Sequence, residues 1–140
     1  MRRYVVGLAI SLSLLITFSG CSTPAAAEAE LGKEFTLGVG QSATVAGENL
    51  TIKFVEVISD SRCPAGAVCI WAGEASCLIE ITDAATTHEK VLVESGVPST
   101  ATDDFNEYKF TFSILPYPDV GKQIDAKDYQ LRLMVDKTSA

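Results

Sequence analysis

Tyr108-Lys109-Phe110-Thr111-Phe112-Ser113-Ile114 decides the fold class. Its large apolar residues occupy every second position, and Lys109, Thr111 and Ser113 stand between them. That two-residue repeat belongs to a strand with one face in a core and the other toward water, not to a helix. Tyr129, Leu131, Leu133 and Val135 repeat the pattern against Gln130, Arg132 and Asp136, and Ala75, Cys77, Ile79 and Ile81 form a third inward set opposite Ser76, Glu80 and Thr82. Phe35, Leu37 and Val39 precede a turn at Gly40-Gln41-Ser42, Ala43 to Val45 follow, and Gly47-Glu48-Asn49 turns the chain again before Leu50. Between Leu50 and Ile58 the phase slips, with Ile52 and Phe54 on one face and Val55 and Val57 on the other, which predicts a bulge or a doubly buried strand. Asp83 to Thr87 reads as a hairpin connection into Val91-Leu92-Val93, and Val97 to Asp104 as a longer loop. Pro116, Pro118 and Gly121 break the chain before the last strand. The expectation is an all-β domain, a small antiparallel β-sandwich of about seven strands, with a small β-barrel as the alternative.

The amino-terminal segment carries a different signal. Arg2 and Arg3 precede an apolar run from Val5 to Phe18. At about fourteen residues, the run suits a secretory signal and falls short of the roughly 20 needed to span hydrocarbon. The run ends in Phe18-Ser19-Gly20-Cys21, which resembles the bacterial lipoprotein lipobox, usually Leu-Ala/Ser-Gly/Ala-Cys, with Phe18 in the place of Leu. The resemblance implies that residues 1–20 are removed and that Cys21 receives a thioether-linked diacylglycerol, with an acyl chain such as palmitate on the new amino terminus. The protein would then be extracytoplasmic and held to a bacterial membrane by lipid, with no transmembrane helix. An ordinary signal peptide cut nearby, leaving Cys21 free or paired, is the alternative. Ser22 to Glu30 offers no large apolar side chain, so residues 21–31 read as a lipidated cysteine and flexible tether. Residues 32–138 read as a single β domain, its length of about 105 residues enough to bury a core.

The formal charge is −7, and loss of the two signal arginines takes it to −9. Nucleic acid and a bare anionic lipid surface would repel such a chain, while solubility of an exported protein accounts for the acidity. The partners expected are the membrane, through Cys21, and a protein or cell-envelope ligand; the chain is expected to be a monomer without cofactors.

The most distinctive part of the domain is Asp60-Ser61-Arg62-Cys63-Pro64-Ala65-Gly66-Ala67-Val68-Cys69-Ile70-Trp71-Ala72-Gly73-Glu74-Ala75. In an exported chain Cys63 and Cys69 would be bonded, because Pro64 and Gly66 permit the turn that closes so short a loop. For a loop of about seven residues the chain-entropy estimate is roughly 2.4 kcal/mol. Cys77, among Ala75, Ile79 and Ile81, then reads as a buried thiol behaving as a small apolar side chain. A Cys69–Cys77 bond competes. The spacings of six and eight residues are not Cys-x-x-Cys, and the lone His88 falls in an expected surface turn, so neither a zinc nor a redox site is expected. Asp103, Asp104, Asn106 and Glu107 have oxygens that suit calcium but miss the spacing and glycine of the EF-hand.

Asp60-Ser61-Arg62-Cys63-Pro64 with Cys69-Ile70-Trp71-Ala72-Gly73-Glu74-Ala75 resembles a signature of small secreted proteins and lipoproteins of bacteria. The resemblance implies a β-rich domain stapled by one disulfide and implies no reaction. Two roles for the segment stay open. It is a recognition loop, with Trp71 meeting a partner beside a polar pocket of Asp60, Arg62 and Glu74; or it is structural, with Trp71 plugging the core while the charged residues pair or bond local backbone.

Catalysis finds no foothold in the sequence. A nucleophile needs a base within reach, and the sole histidine, His88, lies between Thr87 and Glu89. Adjacent acids such as Asp103-Asp104 are commonly just solvated, and the glycines form no phosphate cradle. The expectation is a non-catalytic binding or structural module. The alternative is an inhibitor of extracellular proteases that presents Ala65 to Ile70 to an active site.

Overall fold

The computed structural model describes residues 26–96 and 100–138. The signal segment and Cys21 lie outside the described residues. The strands are β1 (Ala27–Ala29), β2 (Glu34–Gly38), β3 (Ser42–Val45), β4 (Leu50–Asp60), β5 (Glu74–Asp83), β6 (Thr86–Ser95), β7 (Ala101–Phe105), β8 (Tyr108–Leu115) and β9 (Gln130–Lys137), with one 3-10 turn at Ala126–Asp128. They form two sheets, in the orders β1-β3-β4-β5-β6 and β2-β9-β8-β7. Neither sheet closes on itself, so the domain is a β-sandwich and not a barrel. Among the described residues no helix is long and apolar enough to cross a membrane.

The alternating sets become the core. Phe110, Phe112 and Ile114 of β8 and Leu131, Leu133 and Val135 of β9 meet Ala75, Cys77, Ile79 and Ile81 of β5 across the two sheets, all of them buried. Burial of such side chains contributes roughly 1.5–3 kcal/mol for each large one, which fixes the register, since a slip by one residue would turn every one of them outward. The phase slip in β4 is a pair of irregularities against β5, between Phe54 and Glu56 and between Val57 and Ser59. The first turns Val57 inward after Phe54; the second turns Asp60 inward after Val57.

Five sequence expectations need correction. There are nine strands among the described residues, not about seven. Ala27–Ala29, expected in the tether, pairs with Ala43 to Val45 in parallel, and Ala29 is buried; alanines carry too little apolar signal to announce a strand. Ala101–Phe105, expected in a loop, is an edge strand on β8, concealed by the Asp103-Asp104 charge that protects such edges from further pairing. His88 lies inside β6 rather than in a turn, opposite Ile81, with its ring tilted against that of Phe105 at 5.5 Å between centroids. The hairpin before it is tighter than expected, with Asp83 opposite Thr86 and only Ala84 and Ala85 between.

One end of the sandwich gathers the carboxyl ends of β4, β6 and β8 and the amino ends of β5 and β9. The segment Ser61 to Gly73 leaves from this end and returns to it.

Candidate functional site

Asp60 and Arg62 form the base of this end. The inward turn of Asp60 brings its carboxylate beside the Arg62 guanidinium, which donates from Nε to Oδ1 at 2.9 Å and from Nη2 to Oδ2 at 2.6 Å. Nη1 donates to Glu94 Oε2 at 3.2 Å and to the Ile114 carbonyl at 2.6 Å, and Nη2 also donates to the Pro116 carbonyl at 3.1 Å. A guanidinium has five N–H groups, and these five acceptors use them all. The ring of Tyr117 lies 5.1 Å from the guanidinium carbon, and the Tyr129 hydroxyl donates to Asp60 Oδ2 at 3.1 Å. Glu94 also accepts the Ile114 N–H at 2.9 Å. Among the described residues no buried side-chain nitrogen or oxygen lacks a partner.

The electrostatics follow from this geometry. Burial pushes the Asp60 carboxyl up, but the bonds from Arg62 outweigh it and hold Asp60 below the usual carboxylate range. Burial pushes Glu94 above its ordinary value, only partly opposed by the Ile114 N–H and Arg62. Arg62 itself is held above its ordinary value because its two carboxylates outweigh the cost of burial. A cation saturated in this way ties β4, β6 and the end of β8 together and has no N–H left for a ligand.

On this base stands the loop. The β4–β5 ladder continues through Ser61 N–H to the Glu74 carbonyl at 2.8 Å and Cys63 N–H to the Ala72 carbonyl at 2.8 Å. Gly73, at φ +71°, allows the two arms to close: a Cβ there would sit 1.9 Å from the Ser61 carbonyl oxygen. The Tyr117 hydroxyl reaches the carbonyls of Cys63 and Gly96, and Ala65 N–H donates to the Pro118 carbonyl at 2.9 Å. Cys63 and Cys69 are joined in a disulfide, and Cys77 is free and buried. Burial, with the nearby Glu94 charge, pushes the Cys77 thiol up to about 12, so it is not a nucleophile at neutral pH.

Trp71 does not plug the core. It is 76% exposed, and Val68 and Ile70 are exposed completely. The ladder bonds from Ser61–Glu74 to Cys63–Ala72 carry the arms of the loop away from the core. Glu74 is exposed at the start of β5, on the face away from Asp60 and Arg62, whose side chains are buried. The four residues of the expected recognition loop therefore separate into a buried pair, an exposed indole and an exposed carboxylate, and line no common polar pocket. What the loop does frame, with Gly96 and Tyr117, is an open concavity of about 570 Å³.

Glu94, Tyr117 and Tyr129 are the members of the base that sequence reasoning missed. Glu94 keeps the inward phase of Leu92, two residues earlier, and an inward acid facing an inward arginine was the available signal. The acidic run at Asp103 is engaged locally, with Lys90 Nζ 3.0 Å from Asp103 and Asp104 N–H donating to Asp103. Among the described residues no three His, Cys, Asp or Glu side chains gather as a metal site would require. Compared with models of known protein families, with curated proteins and with solved structures, the chain matches none.

Proposed function

We propose that this protein is an extracytoplasmic lipoprotein, anchored to a bacterial membrane through acylated Cys21, whose domain acts without catalysis through the disulfide loop. The observation that carries the reading is the contrast between the loop and its base. Val68, Ile70 and Trp71 are presented to solvent on a segment held by a disulfide, a ladder and a fully bonded arginine. Soluble domains rarely hold large apolar side chains so far out without a contact to make, and an already ordered loop loses little entropy on binding. The anchor is tested by the intact mass of protein purified from membranes. A chain beginning at Cys21 with added hydrocarbon mass is expected, and a chain that keeps residues 1–20, or carries no such mass, refutes it.

The inhibitor reading has one observation in its favour, the free exposure of Val68 and Ile70 in and beside a disulfide-closed loop. A panel of extracellular proteases decides it: no inhibition at micromolar protein removes it.

A further inference from the structure

We propose that the tip of the disulfide loop is seated in the headgroup region of the same bilayer that carries the acyl anchor, so that Val68, Ile70 and Trp71 make a second, protein-borne membrane contact. This rests on the reading that Cys21 is acylated. Composition supports it first. From Cys63 to Ala72 no side chain is charged, and only the Trp71 indole N–H can donate a hydrogen bond, in a chain whose net charge is −7. Val120, also exposed, lies beside Gly66 and widens the apolar tip. An indole with neighbouring aliphatic side chains is the combination that favours the boundary between headgroups and acyl chains. The acidic body would be repelled by anionic lipid, whereas the uncharged tip would not, so contact is confined to the tip.

The place where the anchor leaves the fold supplies the second argument. β1 runs parallel to β3, with Ala27 opposite Ala43, and Ala43 lies opposite Ile52 of β4. Because β4 runs from Ile52 toward the loop, the amino end of β1 points toward the loop as well. The chain preceding Ala27 therefore departs toward the loop end of the sandwich. Six residue steps lead from Cys21 to Ala27, and fully extended they span at most about 22 Å. The base of the loop is almost as far: Ile52 pairs with Ile81 and Asp60 with Ala75, and those six steps along β5 span about 20 Å. Beyond that base the ladder still continues to the Cys63–Ala72 pair, and the tip lies further out. Even a taut connection brings the acylated sulfur only level with the foot of the loop, so the tip meets the bilayer that the acyl chains enter.

The test uses the full acylated chain in phosphatidylcholine vesicles, with and without bromine on the lipid acyl chains. Trp71 is the sole tryptophan of the chain, so indole emission reports the tip alone. The expected result is blue-shifted emission, strong quenching by the brominated lipid, and iodide quenching about tenfold weaker than that of a free indole in buffer. Val68→Ser/Ile70→Ser on the same anchor should return Trp71 to water, with an unchanged circular dichroism spectrum. Intact mass is read on the same preparation. Acylated protein whose Trp71 stays fully open to iodide overturns the tip contact and leaves the anchor standing, whereas protein without lipid mass overturns both. Protection on native membranes but not on protein-free vesicles assigns the loop to a protein partner and also overturns the proposal.

Discussion

Replacing Arg62 with methionine removes the cation from a buried cluster and leaves its acceptors in place. Asp60 and Glu94, whose side chains are 7% and 5% exposed, lose their common partner, and the Ile114 and Pro116 carbonyls lose a donor. Breaking a buried pair from one side costs about 3–5 kcal/mol, and an orphaned carbonyl adds about 1–3 kcal/mol where it cannot relax to water. A loss of about 5 kcal/mol is therefore expected, a large part of the 5–15 kcal/mol that holds a domain. In a domain of this size that corresponds to a fall in Tm of roughly 20–40 °C. Guanidinium denaturation of Arg62→Met beside the triple variant Asp60→Asn/Arg62→Met/Glu94→Gln separates the terms. The triple variant should recover at least about half of the loss, because no uncompensated charge stays buried. An Arg62→Met protein within about 1 kcal/mol of wild type would refute the claim that this cluster holds the loop end together.

Gly73→Ala should cost at least about 3 kcal/mol by thermal melting, because its Cβ would meet the Ser61 carbonyl at 1.9 Å. Gly47→Ala, at a similar positive φ but with open space around it, should cost only about 1 kcal/mol. Asp60 is held below its ordinary value in the folded state, so its stabilisation is present above the ordinary Asp value of about 3.9 and is lost as pH falls through the lowered one. Glu94 has the opposite sign: raised in the folded state, it favours folding below about 4.3 and loses that contribution as pH rises through its elevated value. Urea midpoints against pH should therefore show an acid limb that Asp60→Asn flattens and a gentler decline above it that Glu94→Gln removes. Cys77, with its thiol pushed up to about 12, should resist maleimide at pH 8 in the native protein and react at once in guanidinium; reaction in the native state would contradict its burial.

The sheets were legible wherever strong apolar residues alternate with polar ones, as from Tyr108 to Ile114 and from Ala75 to Ile81. Periodicity fails where a strand is made of small residues, as in Ala27–Ala29, or of charges at an exposed edge, as in Ala101–Phe105. At the loop, the Cys63–Cys69 bond was legible in the spacing together with the expectation of export. The separation of its polar residues did not, because it depends on where the chain points. Two irregularities in β4 turn Asp60 inward, β6, two strands away in the same sheet, delivers Glu94, and Tyr129 arrives from the start of β9 in the opposite sheet, none of which is local in sequence. Trp71 shows the converse: an indole beside a disulfide suggests a core plug, but the paired arms, brought close at Gly73, project it into solvent.

The distance between Trp71 and the bilayer tests the proposed orientation most directly. Energy transfer from the indole to a dansyl-labelled headgroup, on vesicles carrying the acylated chain, should place Trp71 within about 10 Å of the headgroup plane. A distance of about 25 Å or more, beyond the roughly 20 Å from Ala75 to Ile81 along β5, would put the tip away from the membrane and contradict it.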